Sequence, residues 1–294
     1  MVPPERRNPW HLLLLVPAVL LLAVFFAGPM LLLLRVSLFA PAGSRGFYQP
    51  GTWTIGNYAG LFTDGYFREV LTFTLLFAAG VTLLVLVVAY LLALFIHSLP
   101  PRQKALALAA VVLPKLASML VAVCGLQALL SGAGPVNELL LALGRAGPVQ
   151  LTRNLAGAVI GETYLLLPYA VLLLVVALGR IDPALLAAAR GLGASPWGAF
   201  RRVTLPLSLP GLAAAGQLTL VWALGAFVGP LLLGGPEETT LAVEVHRQAV
   251  ENNRWPAGAA VAVVLIAAFV LTLTAWAALA RALTWGKRSW KADA

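Results

Sequence analysis

The sequence predicts an all-α integral membrane protein of six transmembrane helices with both termini in the cytoplasm. Three observations carry that expectation. Apolar residues make up 61% of the 294 and charged residues only 11%, roughly half the charged share usual in a soluble domain. Six charge-poor runs, near 12–34, 72–97, 105–130, 155–179, 207–233 and 257–280, each reach the ~20 residues a helix needs to cross a hydrocarbon core about 30 Å thick. The charges are also unequally shared between the two sides. Placing the tails and alternate loops on one side gathers Arg6, Arg7, Arg102, Lys104, Arg180, Arg190, Arg201, Arg202, Arg281, Lys287, Arg288 and Lys291 against three acids, Glu5, Asp182 and Asp293. The other side holds Arg35, Arg45, Arg68, Arg145, Arg153, Arg247 and Arg254, balanced by seven acids. Excess Lys and Arg marks the cytoplasmic face, and an even number of crossings returns both termini to it.

Each element has its own signals. Arg6 and Arg7 precede the first run as they would in a secretory signal, but its apolar length exceeds the ~7–15 residues of a signal core and no small-x-small site follows, so it is read as a retained helix. The outer loop 36–67 is rich in turn formers and aromatics (Pro41, Gly43, Gly46, Tyr48, Pro50, Trp53, Tyr58, Tyr66), which suits an ordered cap at the membrane surface. The inner connection 98–104 is short enough to make the second and third helices antiparallel neighbours. In the outer loop 131–153, residues 137–144 read as a turn or two of interfacial helix. The last outer loop, 234–256, carries a polar helical stretch from Leu241 to Asn253. Pro256 then suits the first turn of the sixth helix, where its missing N–H costs nothing. Neither an internal repeat nor a separable soluble domain is visible, so residues 1–294 are read as one membrane domain.

Composition also excludes function classes. A net charge of +9 lying mostly on one membrane face points to a lipid bilayer as the partner and not to nucleic acid. The single Cys124 lies in an apolar run, which leaves no disulfide framework, and no metal cluster or cofactor motif is present. H-E-x-x-H, Gly-x-Ser-x-Gly and G-x-x-x-x-G-K-[ST] are all absent, so no catalytic residues are assigned. His11, His97 and His246 sit at helix ends or in loops on both sides.

The polar interruption at 182–206 has the most local information. Asp182-Pro183 is a helix start, an N-cap oxygen followed by proline at the first position. A helix over about 183–191 then aligns Leu185, Ala189 and Leu192, and Gly191 and Gly193 break it. Ser195-Pro196 repeats the start signal for a second short helix sharing Trp197, Phe200 and Thr204 on one face, which Leu205-Pro206 is expected to end. Such a pair forms either a projecting knob or an amphipathic hairpin lying on lipid with its arginines on anionic headgroups.

Small residues at Ala188 and Ala189, Gly193, and Val203 with Leu205-Pro206 after a nine-residue spacer resemble the cytoplasmic signature loop of permease subunits of type I ATP-binding-cassette importers. That resemblance implies a coupling helix seated in a cytoplasmic ATP-binding subunit, with Ala188, Ala189, Gly193, Ala194, Ser195, Trp197, Phe200, Arg201, Leu205 and Pro206 as the coupling residues. It further implies a second permease subunit, a periplasmic or lipid-anchored solute-binding protein, and residence in a bacterial inner membrane. The family usually has Glu where Ala187 stands and often Asp at Gly191, so the resemblance implies that docking here rests on shape, aromatics and arginines. Over most of the chain the sequence is similar to spermidine/putrescine-type permeases: residues 54–58 with Leu61-Phe62, Leu113-Pro114 with Ser118 and Val121, Gly134-Pro135-Val136-Asn137, 224–228, Pro230, 232–236, and 255–260. Such relatives often have Glu at Ala226, Asp at Arg254 and Arg at Ala122. Iron, thiamine, phosphonate and sulfate permeases share parts of the same motifs, which leaves a polyamine or one of these as the solute.

Two charges fall inside the apolar runs. Lys115 lies about 11 residues, roughly 16 Å, into the third helix from the cytoplasm, and Glu162 about 8 residues, roughly 12 Å, into the fourth from outside. Either they neutralise one another and lock two helices, or they line the translocation path with Gln217 as a polar neighbour. Pro168 is expected to kink the fourth helix. A secondary transporter or channel working alone is the alternative from another class, but it has no use for a coupling signature, and no inverted repeat supports it.

Overall fold

The computed structural model describes residues 15–42 and 47–285, with side chains described to residue 278. Both termini, residues 12–14 of the first expected helix, and Glu5, Arg6, Arg7, His11, Gly43, Arg45, Gly46, Lys287, Arg288, Lys291 and Asp293 lie outside the described residues, as does the side chain of Arg281. The described chain is helical apart from loops and one isolated antiparallel bridge between Ala40 and Gln49, and six stretches are long and apolar enough to cross a membrane. The described residues divide into two compact units, one drawn from those up to Asp64 and from Val245–Val264, the other from Gly65–Glu244 and from those after Val264.

In the first unit, α1 (Val16–Ser37) buries only Ser37. Its apolar side chains, Phe25 and Phe26 among them, are exposed, as a lipid-facing helix requires. A wider, π-type turn at Ala23–Ala27 directly precedes Pro29, with the Gly28 N–H bonding the Ala23 carbonyl. Widening by one residue carries a helix past a proline, whose ring would otherwise meet the carbonyl four residues back. The outer loop is ordered by side-chain staples. Asn57, on α2 (Gly56–Thr63), donates to the carbonyls of Ser37 (2.8 Å) and Phe39 (2.9 Å). Ser37 Oγ donates to the Leu34 carbonyl and therefore accepts from the Tyr58 hydroxyl at 2.6 Å. Phe39 stacks on Tyr48, and Phe47 packs on Trp255.

In the second unit, α3 (Gly65–Ser98) is followed after two residues by α4 (Pro101–Val112), a 3₁₀ turn (Leu113–Leu116) and α5 (Met119–Leu130). Next come α6 (Pro135–Ala142), α7 (Leu155–Gly179), α8 (Pro183–Gly191), α9 (Pro196–Leu224) and α10 (Val228–Leu233). Last are α11 (Leu241–His246), extended by a π turn at Arg247–Glu251, and α12 (Trp255–Trp285), both of which run through the division between units. The core is the mutual packing of α3, α7 and α9. Val81, Val85, Ala89 and Ala93 on α3, and Leu166, Ala170, Leu174 and Leu178 on α7, form buried rows at four-residue spacing, the ridges by which helices interlock. Small residues on α9 bring backbones close: a Cβ at Gly211 would reach within 2.3 Å of the Ala177 Cβ, and one at Gly216 within 2.4 Å of the Trp276 ring. Trp276 Nε1 also donates to the Ala213 carbonyl at 3.0 Å.

Three expected elements differ. The third helix does not run unbroken through 105–130. Pro114 lacks the N–H that would continue the ladder; Leu113 before it keeps helical angles (φ −48°, ψ −44°), and only after the 3₁₀ turn are Ala117 and Ser118 extended (ψ 150° and 138°). Alone, α5 spans about 18 Å, short of the bilayer; the stretch long and apolar enough to cross runs on from it through α6, Met119–Ala142. The fifth helix stops at Leu224 and resumes at Val228, because an unbroken helix would drive Pro230 against the Ala226 carbonyl. That carbonyl instead accepts from Thr240 Oγ1 at 2.7 Å. Conversely, Leu205-Pro206 does not end a second short helix: α9 runs from Pro196 to Leu224, passing Pro206 by a π turn at Phe200–Thr204.

Candidate functional site

Helix α7 places Glu162 through glycine. At Gly157 an added Cβ would come within 2.5 Å of the Leu233 carbonyl oxygen, and at Gly161 within 2.5 Å of Leu233 Cδ1. This G-x-x-x-G face therefore lets α10 approach closely, as small residues do between membrane helices. The approach closes over Glu162, which is 2% exposed, and its Oε2 has no hydrogen-bond partner. On α10, Gly229 gives it room, since a Cβ there would stand 2.9 Å from that oxygen.

Lys115 does not form an ion pair or hydrogen bond with Glu162, although the two charges are close enough to attract one another. Its ammonium lies over the Tyr169 ring, 4.7 Å from the centroid, and Tyr169 in turn packs on Trp222 of α9 at 5.5 Å. The break between α4 and α5 makes this possible by setting Lys115 on a short 3₁₀ turn. Gln217 is exposed on α9 but stands about 140° around the helix from Trp222, away from this cluster. Tyr169, Trp222 and Gly229 escaped the sequence reading. Their only signal was an aromatic with a polar tip, or a glycine, inside an apolar run.

At the other end of α7 the chain forms a knob. Asp182 Oδ1 accepts from the Ala184 N–H (2.8 Å) to start α8. The helix ends in a Schellman arrangement, with Gly193 left-handed (φ 83°), its N–H on the Arg190 carbonyl and the Ala194 N–H on that of Ala189. Ser195 Oγ then accepts from Gly198 N–H to start α9. Double capping holds apolar groups out in solvent: Leu192 is 90% exposed and Trp197 68%. Ala188, Gly193, Ser195 and Arg201 are exposed too, while Ala189, Ala194, Phe200, Leu205 and Pro206 are half-buried. Behind Ala187, a cavity of about 300 Å³ opens between the knob and the end of α3, lined by His97, Leu178, Arg190 and Thr204 among others.

Residues 53–284 match the family model described as binding-protein-dependent transport system inner membrane component. The spermidine/putrescine transport system permease protein PotB of Haemophilus influenzae is 33% identical over 253 residues, covering 86% of this chain and 87% of the relative. PotB of Escherichia coli is 35% identical over 228 residues, covering 77% and 82%. Among solved structures, a bacterial ABC transporter involved in the import of the acidic polysaccharide alginate superposes with a TM-score of 0.77 at 20% identity, over 94% of this chain and 96% of its counterpart.

Proposed function

Because this chain belongs to the family of binding-protein-dependent transport system inner membrane components, we propose that its six crossings carry a polyamine and that the knob at 182–206 receives the ATPase that drives them. The chain is a permease subunit of an ABC importer and a multi-pass protein of the bacterial inner membrane; ATP hydrolysis belongs to a separate subunit. Its binding-protein partner delivers the solute from the far side, a second permease subunit completes the pathway, and both termini and the knob face the cytoplasm, where the basic loops fall.

The observation that carries the reading is the doubly capped turn presenting Leu192 and Trp197. Apolar side chains held rigidly in solvent are the signature of a protein contact. Ala188, Ala189, Gly193, Ala194 and Ser195 allow close backbone approach, Trp197 and Phe200 supply area, and Arg201 supplies charge, while Leu205 and Pro206 join the knob to α9. For the solute, the relatives support a polyamine, since the PotB permeases at 33% and 35% identity are spermidine/putrescine transport proteins, and the paired rings of Tyr169 and Trp222 offer aromatic faces of the kind that attract ammonium groups.

The test is reconstitution with the ATPase, the second permease and the binding protein. ATP hydrolysis is expected to rise with polyamine-loaded binding protein and not with ferric iron, thiamine, phosphonate or sulfate. Trp197→Ala is expected to weaken ATPase co-purification about tenfold; stimulation by another solute refutes the polyamine assignment, and unchanged co-purification refutes the docking assignment.

A further inference from the structure

The first helical turns of α9 are deficient in backbone hydrogen bonds. Pro206 and Pro210 lack the N–H groups that would meet the carbonyls of Arg202 and Pro206 in a regular helix, and the register just before Pro206 is already shifted, with the Leu205 N–H on the Phe200 carbonyl. Bending concentrates where rungs are missing. This weakened stretch is the junction between the exposed knob and the membrane-spanning part of α9.

One side chain from another helix bridges it. Tyr90 of α3, 9% exposed, lays its ring 6.3 Å from that of Phe200 at the start of the widened turn, and its hydroxyl lies 2.7 Å from Ser208 Oγ beyond the turn's end. Ser208, 1% exposed, spends its only hydroxyl proton on the Leu205 carbonyl at 3.0 Å, so Tyr90 is the donor. Phe200 in turn stacks on the exposed Trp197, centroids 5.3 Å apart. A continuous path of contacts therefore runs from the solvent-facing tip of the knob to the C-terminal third of the core helix α3.

We propose that Tyr90 is a positioning residue that straps the weakened stretch of α9 to α3, so that displacement of the knob moves α3 and is not lost in local bending. This rests on the reading of the knob as the ATPase contact. The ring holds one side of the turn and the hydroxyl the other, which is why neither Phe nor Ser alone performs the task.

Tyr90→Phe keeps the ring and deletes the donor, and Ser208→Ala deletes the acceptor. In the purified full chain in lipid nanodiscs, amide hydrogen exchange across 200–208 is expected to accelerate about fivefold in either variant, the weight of one hydrogen bond, and no further in the double variant. In the reconstituted importer, solute imported per ATP hydrolysed is expected to fall about threefold while the ATPase still co-purifies. Wild-type exchange in Y90F overturns the strap, and so does faster exchange with an unchanged import-to-ATP ratio. Failure of wild-type chain to recruit the ATPase refutes the docking reading, and nanodisc exchange then decides the strap alone.

Discussion

The Lys115 ammonium is seated on the face of Tyr169, 4.7 Å from the ring centroid, and not on the carboxylate of Glu162. A cation over an aromatic face gains electrostatic energy without a hydrogen-bonding partner fixed in place, worth on the order of 1 kcal/mol in a partly desolvated setting. Tyr169 keeps 36% of its surface exposed, so the lysine does not seal the ring.

If this ring also receives the ammonium groups of the solute, Tyr169→Phe retains the π face and leaves uptake within about twofold. Tyr169→Leu removes that face and lowers uptake about fivefold, the equivalent of about 1 kcal/mol. Initial rates of labelled polyamine uptake into proteoliposomes measure both; equal rates for the two variants contradict a role for the ring.

Glu162 is expected to trade stability for activity. A buried carboxylate oxygen without a partner costs desolvation energy that a neutral isostere avoids. Glu162→Gln should therefore raise the thermal midpoint in detergent by about 2–4 °C, equivalent to about 1 kcal/mol in a chain of this size, while reducing uptake. A lower midpoint would show that the charge stabilises the fold.

The glycines of α7 should not respond alike. At Gly157 an added methyl meets backbone oxygens of Leu233 and Leu151 at 2.5 and 2.8 Å, which cannot yield, so Gly157→Ala is expected to cost about 1–3 kcal/mol. At Gly161 the obstacle is the end of the Leu233 side chain, which can rotate away, and the cost should stay below about 1 kcal/mol. Thermal denaturation of the two variants side by side checks the order.

Ala187→Glu should fold as the parent does. The new carboxylate has the ~300 Å³ cavity lined by Arg190 and His97 to enter, so the thermal midpoint should stay within about 2 °C. Affinity for the ATPase, measured by co-purification at graded salt, should change more than stability. A large loss of stability would mean that the cavity closes in solution.

How far the chain could be read from its residues depended on the range of the interaction. Crossings were legible because lipid imposes apolarity on every lipid-facing position, and the knob because Asp182-Pro183, Gly193 and Ser195-Pro196 act on their own neighbours. The breaks near Pro114 and between Leu224 and Val228 were not. Proline is an ambiguous signal in membrane helices: Pro168 and Pro210 lie inside continuous helices, and Pro206 is passed by a widened turn. Which outcome follows depends on what tertiary partner takes the orphaned carbonyl, as Thr240 does for Ala226. The position of Lys115 was illegible for the same reason, since charge complementarity nominated Glu162 while the broken backbone delivered the ammonium to Tyr169.

Helix α1 contributes its length to the protein and almost none of its surface. With only Ser37 buried, its apolar positions add nothing to the packing of their own unit, so as far as that unit's fold is concerned Leu, Val, Ile and Phe are close to interchangeable along it. Mutational drift should accumulate there faster than in α3 or α7 and stop abruptly at Ser37, whose hydroxyl is committed to Leu34 and Tyr58. Sequence divergence along α1 would thus record elapsed time more faithfully than it records selection for transport.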